Sequence, residues 1–137
     1  MGDDEQGTLT QVAENEIVKH YLGLADAFRL QSHLRMGVPK YGQVEVDEVY
    51  AGITKKGEHI IIGVEAKDKG PNDLLNVSQL FGTSQALLHI FQNLPTKKLL
   101  GVKPDTKGRV CVCEFSVAKN PSELKPLQDW KAYLIQS

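Results

Sequence analysis

The sequence predicts an α/β (α+β) fold, with a central mixed β-sheet of about five strands flanked by helices. Two segments have apolar residues at helical spacing, and several short runs between turn residues are rich in β-branched side chains. These elements follow the order helix, three strands, helix, two strands. The passage from the third strand through the second helix is long enough for a right-handed parallel crossover.

The first half of the chain predicts one helix and three strands. The helix covers residues 10–27, with acidic residues near its start, where the helix dipole favours them. An extended segment at 28–36 and a turn lead to a strand at 43–54. A short Lys-Lys-Gly turn then precedes a strand at 59–67. The apolar run at 60–64 in this third strand predicts burial on both faces.

The second half begins with a long helix predicted over residues 74–92, which Pro95 ends. Strands are expected at 97–103 and 109–117, joined by a turn rich in Pro, Asp and Gly. The remaining segment, 121–137, contains a Trp and a Tyr but has no clear period. We make no assignment for that segment.

Length and composition indicate one domain. The chain has 137 residues, of which 41% are apolar and 24% are charged, as in soluble globular proteins. No apolar run is long enough to span a membrane. We therefore expect a single domain over 1–137, with its core at about 10–117, an acidic N-terminal tail at 1–9 and a C-terminal extension at 118–137.

The formal net charge of −1 is unevenly distributed. Five of the 17 acidic residues lie in the first 16 positions, which contain no Lys or Arg. The rest of the chain holds all 16 Lys and Arg residues and so carries a surplus of four positive charges. This surplus permits binding to phosphate groups without requiring it.

The two cysteines, Cys111 and Cys113, are two positions apart and would point the same way on a strand. They do not form a zinc set with other Cys or clustered His residues. Because the N-terminus also lacks the pattern of a signal peptide, we expect a reducing, cytoplasmic location.

Acidic side chains and a lysine meet at one end of the predicted sheet. Glu65 and Lys67 share a face at the end of the third strand. If the second and third strands pair across their short turn, Asp47 lies near Glu65; a register slip of one residue would bring Glu48 there instead. Two carboxylates beside a lysine suit a Mg²⁺ site that hydrolyses phosphodiesters.

With this strand order and these residues, the chain resembles the PD-(D/E)xK nuclease superfamily, which has the restriction-endonuclease-like fold. The resemblance covers residues 10–105 and implies an αβββαβ core. Val46 stands before Asp47 where the family motif has proline. The resemblance further implies that Asp47 and Glu65 bind Mg²⁺, with Mn²⁺ as a substitute. The carbonyl of Ala66 would be a further ligand, and Lys67 would be the catalytic lysine.

Several other residues are candidates for supporting roles. Some members of the superfamily use a glutamate of the first helix or a glutamine of the helix after the third strand; Gln79 and Gln85 both fit the latter. An ordinary exposed role is the simpler interpretation for most of these residues. The auxiliary candidates are Glu14, Glu16, Glu45 and Gln79, and the candidate phosphate contacts are Lys55, Lys56 and Lys69.

The sequence therefore leads to the hypothesis of a Mg²⁺-dependent endonuclease that acts on DNA, either restriction-endonuclease-like or resolvase-like. Cutting both strands of a duplex would favour a homodimer, and the chain could belong to a larger restriction or repair assembly. Two alternatives stay open: a nucleic-acid-binding or assembly module that keeps the nuclease fold without cleavage, and a small α/β protein of unrelated function.

Overall fold

The computed structural model describes residues 3–67, 77–94 and 96–135. Within them, helices on both faces cover one six-stranded sheet. The helices are α1 (Asp3–Glu14), α2 (Ile17–Leu22) and α3 (Val77–Ile90), and the strands are β1 (Asp26–Val38), β2 (Gly42–Ile53), β3 (His59–Ala66), β4 (Lys97–Pro104), β5 (Arg109–Phe115) and β6 (Lys131–Leu134). The α+β class with a mixed sheet is confirmed.

The strands lie in the sheet in the same order as in the chain, β1-β2-β3-β4-β5-β6. Neighbours are antiparallel except β3 and β4, which are parallel and are connected through α3. This is the crossover that the sequence predicts. The carboxyl ends of β3 and β4 consequently meet at the same edge of the sheet.

The first helix differs from its prediction over residues 10–27. It begins at Asp3 and ends at Glu14, and a second short helix follows. Glu16 has a φ of 51°, a left-handed conformation that interrupts the helical hydrogen bonds. The residues after Gly23 lead into β1 instead of continuing the helix.

Both ends of the domain are also more structured than expected. The predicted acidic tail, 1–9, is helical from Asp3 onward, and Leu9 is buried in the core. In the predicted C-terminal extension, residues 131–134 form β6 and pair with β5. The sheet therefore has a sixth strand that was not predicted from the sequence.

Side chains of β3 alternate between two buried faces. Ile60, Ile62 and Val64 pack with residues of α1 and α2, whereas Ile61 packs with Ala86 of α3 and its neighbours. Burial on both faces, predicted from the apolar run, is confirmed. In the described residues, no helix is long and apolar enough to cross a membrane.

Gly63 lets α3 approach the sheet closely. A Cβ atom at this position would lie 2.9 Å from Cγ2 of Thr83 and 3.1 Å from Cδ1 of Leu87. Any side chain there would displace the helix or those two residues. The glycine thus brings the middle of α3 against the strand that carries Glu65.

Candidate functional site

The predicted acidic pair is in contact at the end of β3. The antiparallel register pairs Glu48 with Val64, so Asp47 comes opposite Glu65. The Asp47 N–H donates to Oε1 of Glu65 over 3.4 Å. In return, Oδ2 of Asp47 accepts a 2.9 Å hydrogen bond from the N–H of Ala66.

Glu65 is almost completely buried, with only 3% of its surface exposed. Its Oε1 accepts a hydrogen bond from Oγ1 of Thr83, which α3 presents to the sheet. This contact depends on the close approach of α3 over Gly63. Helix and strand together hold the carboxyl group of Glu65 in one position.

Burial raises the pKa of Glu65 well above its ordinary value of 4.5, and the negative charge of Asp47 raises it further. A hydrogen bond with the carboxyl group of Asp47 acts in the same direction, while the bond from Thr83 opposes the shift. Two acidic groups this close cannot both be ionised without a compensating positive charge. The carboxyl groups of Asp47 and Glu65 can therefore share a proton or bind a cation together.

Glu48 points to the opposite face of the sheet. Its Oε1 lies 3.1 Å from Nη1 of Arg29, and its Oε2 accepts a hydrogen bond from Ser32. Burial, followed by the charge of Glu48, raises the pKa of neighbouring Tyr50 to about 12. The register thus places Asp47 beside Glu65 and gives Glu48 ionic and hydrogen-bond partners of its own.

Lys67 and Ala66 continue the edge of the sheet where the acidic pair lies. The backbone N–H of Lys67 donates to the carbonyl of Val102 over 2.8 Å, which ties the end of β3 to β4. Lys67 directly follows Ala66, the last residue of β3, so its backbone lies beside the acidic pair at this edge. The backbones of all the residues implied by the nuclease resemblance therefore lie at this edge.

Two auxiliary candidates line one groove next to the acidic pair. Glu45 of β2 and Gln79 of α3 face each other across a space of about 260 Å³, with Gly82 on the helix side. Gly82 directly precedes Thr83, and Glu45 lies two positions before Asp47. The groove is therefore lined by chain neighbours of Thr83 and Asp47, although its lining does not include the acidic pair.

Glu45 is also part of an exposed ionic cluster on the β1–β2 hairpin. Nδ1 of His33 lies 3.2 Å from its Oε1, and Nε of Arg35 lies 3.2 Å from its Oε2. The hydrogen bond with His33, followed by the charge of Arg35, lowers the pKa of Glu45. This side chain is held as a carboxylate at the border of the groove.

The two glutamates of the first helical region lie elsewhere. Glu14 and Glu16 border a cavity together with Tyr133 and Leu134 of the outer strand β6. Three inter-strand spacings of about 4.8 Å separate β6 from β3. The structure therefore does not bring these glutamates into the Asp47–Glu65 pair.

The predicted phosphate contacts are not gathered at the site either. Lys55 and Lys56 occupy the turn before β3, at the end opposite Glu65. At about 3.3 Å per residue, β3 separates them from Glu65 by roughly 20 Å. Lys69 lies outside the described residues. A phosphate bound at the turn would therefore be remote from the acidic pair.

Thr83 is the contact of Glu65 that sequence reasoning did not identify. A usable signal was present, because the helix contains three consecutive small residues at 82–84 and the strand contains Gly63. Small residues on both sides favour close helix-to-strand packing. Ser84, next in the helix, bonds the backbone of Ala118 and fixes α3 further.

The oxygen atoms at this edge suit a hard divalent cation. In the described part of the chain, no group of three or more His, Cys, Asp or Glu side chains is arranged to hold a metal. Two carboxyl groups do meet, and burial together with the charge of Asp47 raises the pKa of Glu65. Asp47, Glu65 and the carbonyl of Ala66 would hold Mg²⁺, which keeps several waters in most protein sites.

Comparisons of this chain with protein families, curated proteins and solved structures found no match.

Proposed function

We propose that this chain is a metal-dependent endonuclease that hydrolyses DNA phosphodiester bonds, with Mg²⁺ as its cation. The observation that carries the proposal is the contact between Asp47 and Glu65. These acids lie 18 positions apart, yet the backbone N–H of Asp47 bonds the carboxyl group of Glu65. Lys67 directly follows β3 and would supply a positive charge at the same edge.

The order of the elements supports the same proposal. A helical region precedes three antiparallel strands, and α3 then leads to a strand parallel to the third. That is the αβββαβ order expected for a restriction-endonuclease-like core. Asp47 on the second strand and Glu65 on the third are the residues to which the resemblance assigns the metal ligands of the PD-(D/E)xK motif.

Each residue has a distinct role in the proposed reaction. Bound Mg²⁺ would polarise the phosphoryl group and lower the pKa of a bound water. Thr83 and the N–H of Ala66 hold the two carboxyl groups in position. Lys67 orients the attacking water and offsets negative charge in the transition state. Water adds to phosphorus, the bond to one sugar oxygen breaks, and that oxygen receives a proton.

The proposal is tested by cleavage of labelled DNA duplexes, junctions, flaps and single strands with and without Mg²⁺ or Mn²⁺. The variants Asp47→Asn, Glu65→Gln and Lys67→Ala should each lose metal-dependent cleavage. Glu58→Gln is the matched control, since Glu58 is an exposed acid in the turn at the far end of β3. Cleavage by this control should equal that of the native chain.

Binding of Mn²⁺ to the same proteins separates the possible outcomes. Native binding that Asp47→Asn removes, together with cleavage, supports the nuclease. Binding without cleavage of any DNA in the panel would favour the non-cleaving module instead. Equal Mn²⁺ binding by the native chain and Asp47→Asn would overturn the proposed site. A homodimer, which would present one site to each strand of a duplex, is tested by sedimentation with DNA.

A further inference from the structure

Phe115 and Trp130 form an aromatic wall near Glu65, on the face of the sheet that α3 covers. In the parallel register, Glu65 is the neighbour of Gly101 on β4. A Cβ atom on Gly101 would lie 2.9 Å from Cε1 of Phe115 and 3.4 Å from Cη2 of Trp130. Phe115 and Trp130 therefore fill the space that a side chain at Gly101 would occupy, one strand away from the acidic pair.

The segment before β6 fixes this tryptophan. Leu127 donates its backbone N–H to the carbonyl of Glu114 over 2.8 Å. The thiol of Cys113 donates to the carbonyl of Gln128 over 3.2 Å. The ring of Trp130 packs edge-on against Phe115, with centroids 6.1 Å apart. The indole is thus part of a packed wall.

A second lysine, Lys103 of β4, contacts the aromatic wall. Nζ of Lys103 lies 4.3 Å from the ring centroid of Trp130, the geometry of a cation–π contact. Lys103 directly follows Val102, whose carbonyl accepts the N–H of Lys67. Lys67 and Lys103 therefore leave adjacent strands at the same edge of the sheet, with backbones about 4.8 Å apart.

Like charges on neighbouring strands repel each other unless anions lie near them. Here the acidic pair lies at the end of β3 that Lys67 follows, and the ammonium group of Lys103 lies over the face of Trp130. A nucleic-acid strand presents a regular row of phosphates, one for about every 3.4 Å of helix axis. Two lysines side by side suit successive phosphates in such a row.

We propose that Lys103, positioned by Trp130, binds the DNA phosphate next to the one that is cleaved. This inference rests on the proposed nuclease function and adds a backbone-binding subsite to it. Lys103 contacts the substrate, whereas Trp130 is a positioning residue. The subsite recognises phosphate and does not read base sequence, so its effect should be equal for all sequences.

The test measures binding of a fluorescent DNA duplex in Ca²⁺, used as a divalent cation in place of Mg²⁺, over a series of salt concentrations. Lys103→Gln should weaken binding, and the slope of log K against log salt should become shallower by about 0.9. Lys103→Arg keeps the charge and should retain the native slope. Lys131→Gln is the matched control, because Lys131 lies 5.3 Å from the ring of Tyr133 on β6. It should bind like the native chain.

Variants of Trp130 test positioning. Trp130→Phe keeps an aromatic face and should restore most of the binding that Trp130→Leu loses. An unchanged slope in Lys103→Gln would overturn the inference, as would absence of DNA binding by the native chain. Mn²⁺ titration without DNA on the same samples tests the acidic pair separately. Failure of the metal site is therefore distinguishable from failure of the Lys103 subsite.

Discussion

Two glutamates on neighbouring strands illustrate how position decides the role of an acidic residue. Glu48 and Glu65 are both almost completely buried. Glu48 has the guanidinium group of Arg29 at 3.1 Å, whereas burial and the charge of another acid, Asp47, raise the pKa of Glu65. The first is stabilised as a carboxylate by its partners. The second needs a proton or a cation.

The raised pKa of Glu65 predicts how stability depends on pH in the metal-free protein. The protonated carboxyl group of Glu65 stabilises the folded state. This contribution is fully present below the ordinary pKa of 4.5 and is lost as pH rises through the higher pKa of the folded state. Glu65→Gln removes this loss and should be more stable than the native chain at neutral pH. Thermal melts with EDTA across the acidic and neutral range measure both effects; parallel curves for the two proteins would contradict the prediction.

The opposite result is expected for the partner of Arg29. Glu48→Gln should lower the free energy of unfolding by about 1–3 kcal/mol, because it weakens a buried charge-assisted hydrogen bond. Cleavage per folded molecule should not change, since this side chain lies on the other face of the sheet. Urea denaturation and cleavage assays on the same preparation check both statements. Loss of cleavage in a fully folded variant would contradict the assignment of Asp47.

At the scale of elements, the packing of α3 on β3 connects stability with the site. Gly63→Ala places a Cβ atom 2.9 Å from Thr83 and should lower the free energy of unfolding by about 1–3 kcal/mol. It should also move Thr83 away from Glu65 and so reduce cleavage. Gly7→Ala is the matched control: nothing lies within 4 Å of a Cβ atom there. In the middle of α1, that change should raise stability by up to about 1 kcal/mol. Denaturation curves that rank the two variants in the reverse order would contradict this interpretation of the packing.

The strands could be predicted because β-branched runs between turn residues are strong local signals. The break at Glu16 could not, since a left-handed glutamate leaves no trace in the apolar period. The four-residue strand β6 was missed for a related reason. Its residues alternate only weakly, and pairing with β5 holds them in the sheet.

The site shows the same division between local and distant information. Register and strand alternation were enough to predict Asp47 and Glu65 as neighbours, while the place of the Lys67 side chain stays a prediction. Thr83 reaches the site because α3 packs on the sheet, and Trp130 reaches it because the segment before β6 folds beside β4. No local sequence pattern describes either kind of packing. The sequence therefore predicted the acidic pair, whereas the positions of Thr83 and Trp130 around it became apparent only from the tertiary fold.

For the molecule as a whole, cation binding should appear as stability. A ligand that binds only the folded state stabilises it by about 2.7 kcal/mol at 100 times its Kd. Mg²⁺ or Mn²⁺ should therefore raise the Tm of the native chain at neutral pH, and Asp47→Asn should abolish the shift. Differential scanning fluorimetry over a metal titration measures this. An equal shift in both proteins would place the cation elsewhere.

The strand order also predicts that parts of the site assemble at different times. Asp47 and Glu65 belong to a β2–β3 hairpin, whose closure needs only a short loop, while β4 can pair with β3 only after the chain has passed through α3. Loop closure favours the hairpin first. We therefore expect the two acids to meet before Trp130 and Lys103 are in place. A divalent cation would then act on the nascent chain as a folding partner, speeding collapse as well as serving the finished protein.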